Sequence, residues 1–455
     1  MAKHPDKILL IGWDGSGGAD TVVKGLKNGF EERGTQTDIL YHNFGKRPYL
    51  QTPTGTQEFR DVNDFIESGL LPEYMTIHSH LITFTGDEIV KMRRQSSQAP
   101  LIYTAHSIAP HDILNSNAAN KKIFEGLPPH VQARQLENMK SSQLPIVRES
   151  DKVTNMTRVG EEIYRRYFPE YAQKSILIPN GSDIYKMAER KDVAARAAEL
   201  RQKFGNGTMV LYTGRLHKDK GVLDLADAFS RAKETKPELK LVYVGGSPDP
   251  SVPDVIKSRV KPEYRNDVFF EGWINDRSHL ASEYMASDMV VLPSYYESFG
   301  LSALEGMMLG KPVIASDIDG MGDVFVKPWY AYGVQPGNVP QLQERLNYVA
   351  SNPVEAQRNA DRVKDAVVSR YSSDKIIDGV LGLYITTMVE NMFRNPNTNI
   401  TDIFGSYLKS IRYQPRNPDE MKEFGRLCLS LGEISEGQAY RDIGKMYMQE
   451  AGRGA

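Results

Sequence analysis

The sequence predicts an α/β protein made of two doubly wound parallel sheets. Three observations carry that prediction. Short apolar runs alternate with helix-like segments from residue 7 to residue 316. The alternation is interrupted once, near residue 185, by a charged helical stretch. Many of the apolar runs end in glycine or small polar residues, as strands do when their carboxyl ends open onto loops.

The elements justify this in order. KILLIG (7–12) is followed by the glycine-rich WDGSGGAD and by TVVKGLKNGFEERG, which read as strand, loop and helix. MTIHSHLI (75–82), APLIYTAHS (99–107), KVTNMT (152–157) and SILIPNG (175–181) continue the strand series, with helical segments such as TRVGEEIYRRYF between them. IYKMAERKDVAARAAELRQKFGNG is charged and helical. A second series then begins with TMVLYTG (208–214), LKLVYVGG (239–246), DVFFEG (267–272), DMVVLPS (288–294) and KPVIAS (311–316), separated by DLADAFSRAKE and SHLASEYMAS. The predicted division is a first sheet domain over 1–185 and a second over 186–371. One long amphipathic helix follows over 372–393, then a helical extension over 394–455 without strand signal. Oligomerisation or partner binding is the expected use of that extension. Ligands of doubly wound sheets bind at the carboxyl ends of strands, so the cleft between two such sheets is the expected site.

Composition narrows the function classes. The 56 basic and 58 acidic residues nearly cancel, which argues against a nucleic-acid-binding surface as the main activity. The single cysteine, Cys428, excludes an internal disulfide and points to a reducing compartment. The start, MAKHPDKILLIGWDG, lacks a signal-peptide pattern. No apolar run approaches the roughly 18 residues of a membrane span. A soluble cytoplasmic protein without a transmembrane segment is the expectation.

The stretch SYYESFGLSALEGMMLGKPVIAS (294–316) contains two glutamates, Glu297 and Glu305, in otherwise apolar, glycine-punctuated surroundings. The strand DMVVLP ends at Pro293, and a helix is expected from near Phe299 to Gly310. At the helical rise the two carboxylates are about 10 Å apart, too far to share a metal but suited to two polyols of one extended ligand. The helix start near Gly300, Leu301 and Ser302 offers free N–H groups that favour phosphate. From the residues alone, a solvated helix-start acid and a surface glutamate are competing readings, although a carboxylate buried in so apolar a segment needs partners. Arg215 and Lys220 follow the strand VLYTG and read as a cationic clamp or as an exposed charged loop. Gly15, Gly17 and Gly18 read as a ligand approach or as a tight turn. Gly12, Gly15, Gly17 and Gly18 do not give G-x-G-x-x-G spacing, which lowers the case for a nicotinamide enzyme.

Together these motifs resemble the retaining glycosyltransferases of family four, with the GT-B fold: two Rossmann-like domains facing a cleft. PSYYESFGLSALEGMMLGKPVIAS is similar to that family's E-x7-E signature. TGRLHKDKG (213–221) is similar to its GRL-x3-KG phosphate motif, GSGGAD to its first glycine loop, and YTAHS to its histidine-bearing loop. The resemblance covers about residues 7–390. It implies that the first domain binds the acceptor and the second the nucleotide sugar, with the helix at 372–393 packing back across both. It places Glu297 on donor sugar hydroxyls and Glu305 on ribose hydroxyls. Phe299, Gly300, Leu301, Gly17 and Gly18 would line the donor, and Arg215 and Lys220 would hold the diphosphate in place of a divalent metal. His106 would sit near the reaction centre, and His80 matches a second loop of the acceptor domain. The implied activity is metal-independent, retaining hexosyl transfer from a nucleoside diphosphate sugar (UDP-, GDP- and ADP-sugars being the forms to test) to an unidentified acceptor hydroxyl, with no further cofactor. A GT-B phosphorylase, a nucleotide-sugar epimerase and a non-catalytic partner subunit are the alternatives.

Two features depart from the family pattern. After VIAS, Asp319 stands at the family's first glycine and Asp323 in the place of its glutamate. The stretch SIAPHDILNSNAANKK is poor in cations until Lys121, which gives no support to a phosphorylated acceptor.

Overall fold

The computed structural model describes residues 7–15, 17–43, 45–80, 84–96, 99–108, 124–205, 207–322, 324 and 331–394. The helical extension expected beyond residue 394, Cys428, Asp323 and the segment leading to Lys121 lie outside the described residues.

Two sheets form from the two strand series. The first has the order β4-β3-β2-β1-β5-β6-β7-β8: β1 Lys7–Gly12, β2 Gln36–Tyr41, β3 Tyr49–Thr52, β4 Gly55–Glu58, β5 Tyr74–Ser79, β6 Leu101–Thr104, β7 Lys152–Asn155 and β8 Ser175–Leu177. Its pairs are parallel except β2/β3 and β3/β4. The second has the order β11-β10-β9-β12-β13-β14 and is parallel throughout. Its strands are β9 Thr208–Thr213, β10 Leu239–Val244, β11 Val268–Gly272, β12 Met289–Leu292, β13 Val313–Ser316 and β14 Ala331–Val334. Each chain path reverses once across its sheet, between β1 and β5 and between β9 and β12. A reversal leaves a crevice at the carboxyl ends of the strands.

The central strands are buried on both faces, so their runs are continuous rather than alternating: Ile8 to Ile11 and Met209 to Leu211 are at most 1 % exposed. β2, β3, β4 and β14 are additional to the strands read from sequence. Several expected strands are shorter than their apolar runs. MTIHSHLI ends its ladder at Ser79 and SILIPNG at Leu177. The charged stretch after residue 183 is two helices, Ile184–Met187 and Lys191–Phe204.

The long helix Ser373–Arg394 returns to the first sheet. Its Ile377, Val380, Leu381, Tyr384, Ile385 and Met388 pack with Val23, Leu26 and Phe30 of the Gly18–Glu32 helix and with Ile8, Leu10 and Ile39 below. Arg33 secures it by hydrogen bonds to Asp378 (3.0 Å) and Asp374 (3.3 Å). The chain thus crosses between the sheets twice, and the crossings are joined: Ser182 N–H donates to the Tyr371 carbonyl at 3.1 Å, and Ser373 N–H to the Ser182 carbonyl at 3.2 Å.

Candidate functional site

Both sheet reversals open onto one cleft of about 300 Å³. Loops after β1, β6, β9, β10, β11 and β12 line it, which is the geometric consequence of two parallel sheets meeting at their carboxyl ends. His106, Arg215, Lys220, Gly17, Gly18, Glu297, Phe299, Gly300, Leu301 and Glu305 all lie on its wall. The sequence-predicted residues are therefore brought together, although they span 289 positions (305 − 17 + 1).

The helix of the glutamate stretch spans Leu301–Met308, with Gly300 as its N-terminal boundary. This start is two residues later than expected. Gly300 has φ 84°, a left-handed conformation that ends the loop before helical geometry begins. Among the described residues no side chain caps the helix, and its first residues, Leu301 and Ser302, line the cleft. Opposite, Gly17 and Gly18 begin the Gly18–Glu32 helix, also without a side-chain cap. A Cβ on Gly17 would meet no atom within 4 Å, and one on Gly18 would meet Leu301 across the cleft at 3.4 Å. Packing therefore does not demand the smallness of Gly17. Gly320 has a packing reason instead: a Cβ there would lie 1.6 Å from the Glu297 carbonyl oxygen. The Asp319–Gly322 turn supports the Glu297 loop directly, whatever occupies the neighbouring position.

Glu297 and Lys220 form an ion pair at 2.8 Å, both about one-sixth exposed. The Ser294 hydroxyl donates to the same Glu297 oxygen at 2.9 Å, and Lys220 Nζ also donates to the Tyr296 carbonyl at 3.2 Å. The predicted sugar-binding acid and diphosphate-binding cation are thus mutual partners. Arg215 is half exposed and 3.6 Å from Asp219. Its loop is held from below, where the buried Tyr212 hydroxyl donates to the Arg215 carbonyl at 2.7 Å.

Glu305 is 4 % exposed and well partnered. Arg277 donates to Oε1 at 2.7 Å and the Ser182 hydroxyl to the same oxygen at 3.1 Å. The Tyr284 hydroxyl stands 3.3 Å from Oε2 and 3.2 Å from the Ser302 carbonyl. A hydroxyl carries one proton, so Tyr284 serves one of these acceptors at a time. A carboxylate has about four lone-pair sites. Oε2 therefore keeps capacity for a ligand while Oε1 is saturated. Arg277, Tyr284 and Ser182 were not singled out from sequence. Arg277 and Tyr284 lie in SHLASEYMAS and just before it, without motif spacing. Ser182 stands at the first interdomain crossing, just past the run SILIPNG.

His106, partly exposed on the cleft wall, is bonded to His80 at 2.8 Å. Burial lowers its pKa to about 4, so its ring is neutral near pH 7. Among the described residues no group of His, Cys, Asp and Glu is arranged to hold a metal ion, and no helix is long and apolar enough to cross a membrane.

The fold and cleft define a GT-B protein, and comparison with known proteins places the chain more closely. Residues 197–365 match the family described as glycosyl transferases group 1; the chain carries a domain of that family. It is 31 % identical over 243 residues to glycogen synthase of Mycobacterium tuberculosis, covering 53 % of this chain and 55 % of that protein. It is 30 % identical over 262 residues to the D-inositol 3-phosphate glycosyltransferase of Rhodococcus jostii, covering 55 % and 52 %. The chain spans about half the length of these curated relatives. Among solved structures, a sucrose-phosphate synthase from Thermosynechococcus elongatus superposes with a TM-score of 0.66 at 22 % identity, over 85 % of this chain and 100 % of that one. HepE of Anabaena in complex with UDP-glucose gives 0.62 at 18 %, over 84 % and 99 %. At such identities the likeness is one of fold.

Proposed function

We propose that this chain is a retaining glycosyltransferase that moves a hexose-type sugar from a nucleoside diphosphate sugar to an acceptor hydroxyl. The observation that carries the reading is the convergence on one cleft of two acids, two cations and an uncapped helix start, contributed by the loops after β9 and β12. The relatives' names and the UDP-glucose complex of a structural neighbour support a sugar nucleotide as donor.

In this reading the diphosphate lies against the Leu301–Met308 helix start, between Arg215 and Lys220. The ribose hydroxyls donate to the open Oε2 of Glu305. The sugar hydroxyls take the place of Lys220 as partners of Glu297, which releases Lys220 to the phosphates. Breaking the bond from C1 to the phosphate oxygen leaves its electron pair, and hence negative charge, on the diphosphate. Fixed cations and N–H dipoles at that position lower the barrier. The acceptor oxygen bonds to C1 on the same face, and its proton passes to the departing phosphate oxygen. These protein groups supply the charge stabilisation, and the scheme calls on no cofactor. The cation-poor stretch after His106 lends no support to a phosphorylated acceptor.

The test is a panel of UDP-, GDP- and ADP-hexoses. A bound donor raises the melting temperature, and the anomeric configuration of the product reports retention. Glu305→Ala is expected to weaken donor binding, and Glu297→Ala to slow turnover more than binding. Normal transfer by both variants, or no stabilisation by any donor, would refute the proposal.

A further inference from the structure

Behind the cleft wall lies a stack of three histidines that the reaction above does not use in full. His78 and His80 are two residues apart at the end of β5 and so share a face, with ring centroids 4.3 Å apart; His80 and His106 follow at 5.1 Å. β5 and β6 are adjacent parallel strands, which brings the loop carrying His106 beside His80. Both nitrogens of His78 are engaged, Nδ1 with the Tyr384 hydroxyl and Nε2 with the Thr104 hydroxyl, each at 2.6 Å. His80 is 5 % exposed. Its Nδ1 meets His106 Nε2 at 2.8 Å. Its Nε2 has no partner among the described residues. His80 also borders a second cavity of about 40 Å³ between the Gly18–Glu32 and Ser373–Arg394 helices.

Two neutral imidazoles joined nitrogen to nitrogen share a single proton, and the position of that proton dictates both tautomers. If His80 donates from Nδ1, His106 accepts at Nε2 and carries its own proton on Nδ1. If His106 donates from Nε2, its Nδ1 is a bare lone pair. In either case Nε2 of His106 is committed to His80, and Nδ1 is the nitrogen left for the cleft. An anion in the cleft separates the two arrangements, because it attracts an N–H and repels a lone pair.

We propose that His80 is a positioning residue: its bond to His106 aims the Nδ1 of His106 at the cleft and, with a nucleoside diphosphate bound, holds that nitrogen as a neutral N–H donor. The second half rests on the donor-site reading given above. His106 then serves the leaving diphosphate or a sugar oxygen as a hydrogen-bond donor, and accepts no proton from the acceptor. Burial supports a neutral pair: it lowers the pKa of His106 to about 4 and that of His80 well below its ordinary value, with the neighbouring His78 and His106 rings adding to the effect on His80.

The test is ring-nitrogen NMR of the full chain labelled with 15N-histidine, with and without UDP, the His106 signals being assigned by their loss in His106→Gln. With UDP bound, His106 should show a protonated Nδ1 and a bare Nε2. His80→Ala should give averaged tautomers and lower kcat about tenfold, the worth of one hydrogen bond, with the donor KM changed less than twofold. His80→Asn, whose amide can donate from the position of Nδ1, should restore kcat to within about threefold of the parent. A bare Nδ1 on His106, or a His106 protonated on both nitrogens, in the UDP complex overturns the proposal, as does His80→Asn being as slow as His80→Ala. Binding of UDP without the expected tautomer overturns this inference alone. Failure of UDP, GDP and ADP alike to shift any resonance overturns the donor-site reading and this inference with it.

Discussion

Removing Arg277 should expose how the cleft is held together. Its guanidinium is 2.7 Å from Glu305 Oε1 and 2.9 Å from the Ser182 hydroxyl. The Glu305 side chain is 5 % exposed and that of Arg277 30 %. Breaking a buried ion pair from one side costs about 3–5 kcal/mol, since the remaining charge stays buried without its partner. Two facts reduce this figure. Arg277 is partly solvated, and Ser182 and Tyr284 still donate to the orphaned carboxylate. The expected loss for Arg277→Ala is therefore about 2–3 kcal/mol, or a fall in melting temperature of roughly 5–10 °C for a domain of this size. Neutralising the orphan should return part of it: Arg277→Ala/Glu305→Gln should be more stable than Arg277→Ala by at least about 1 kcal/mol. Calorimetric melting of the two single variants and the double variant completes the cycle. A double variant no more stable than Arg277→Ala would show that the cost lies in lost packing and would refute the argument from charge.

Further outcomes follow from other sites. Lys220→Ala should leave Glu297 without its cation and lower kcat by about a hundredfold, as expected for one charge-stabilising group, which steady-state transfer assays measure; a change below threefold would exclude the clamp. Gly320→Ala would drive a methyl group into the Glu297 carbonyl and should reduce turnover at least as much as Glu297→Ala while the fold persists by circular dichroism. Glu283 is wholly buried with both oxygens unpartnered among the described residues, and burial, reinforced by the charge of Glu271, raises its pKa to about 7. Between the ordinary glutamate value and about 7 the folded state holds the proton more tightly than the unfolded state, so this group's contribution to stability falls as pH rises across that window. Glu283→Met should therefore be stabilising at pH 8 by up to roughly 3 kcal/mol and much less so at pH 4.5. Equal effects at both pH values, read from denaturant melts, would sink the assignment.

Much of the architecture could be read from hydrophobic pattern. β1, β9, β10 and β12 are central parallel strands buried on both faces, and their uninterrupted apolar runs are unmistakable. β3 and β4 are different: they form an antiparallel edge, and all of Gly55–Glu58 is exposed, so no apolar signal marks them. β2 is buried, yet Thr37 and Asp38 interrupt its run. Asp38 accepts from the Tyr74 hydroxyl at 2.9 Å, a partner supplied by β5, two strands away across β1. The ten candidate site residues were legible because their motifs are local, each contained within one strand–loop–helix turn. Arg277 was not, since an arginine at the start of an ordinary helix becomes informative only when Glu305 and Ser182 arrive beside it.

The amino-acid order by itself determined the central strands and the helices between them, that there are two sheets, and which short loops could bear ligand chemistry, since these depend on interactions between near neighbours along the chain. Tertiary structure alone decided which groups share a proton or a charge: Glu297 with Lys220, Glu305 with Arg277 and the interdomain serine, His80 with His106. Those pairings join residues 26 to 123 positions apart, and whether such groups meet at hydrogen-bonding distance depends on how whole elements pack, which no local pattern encodes.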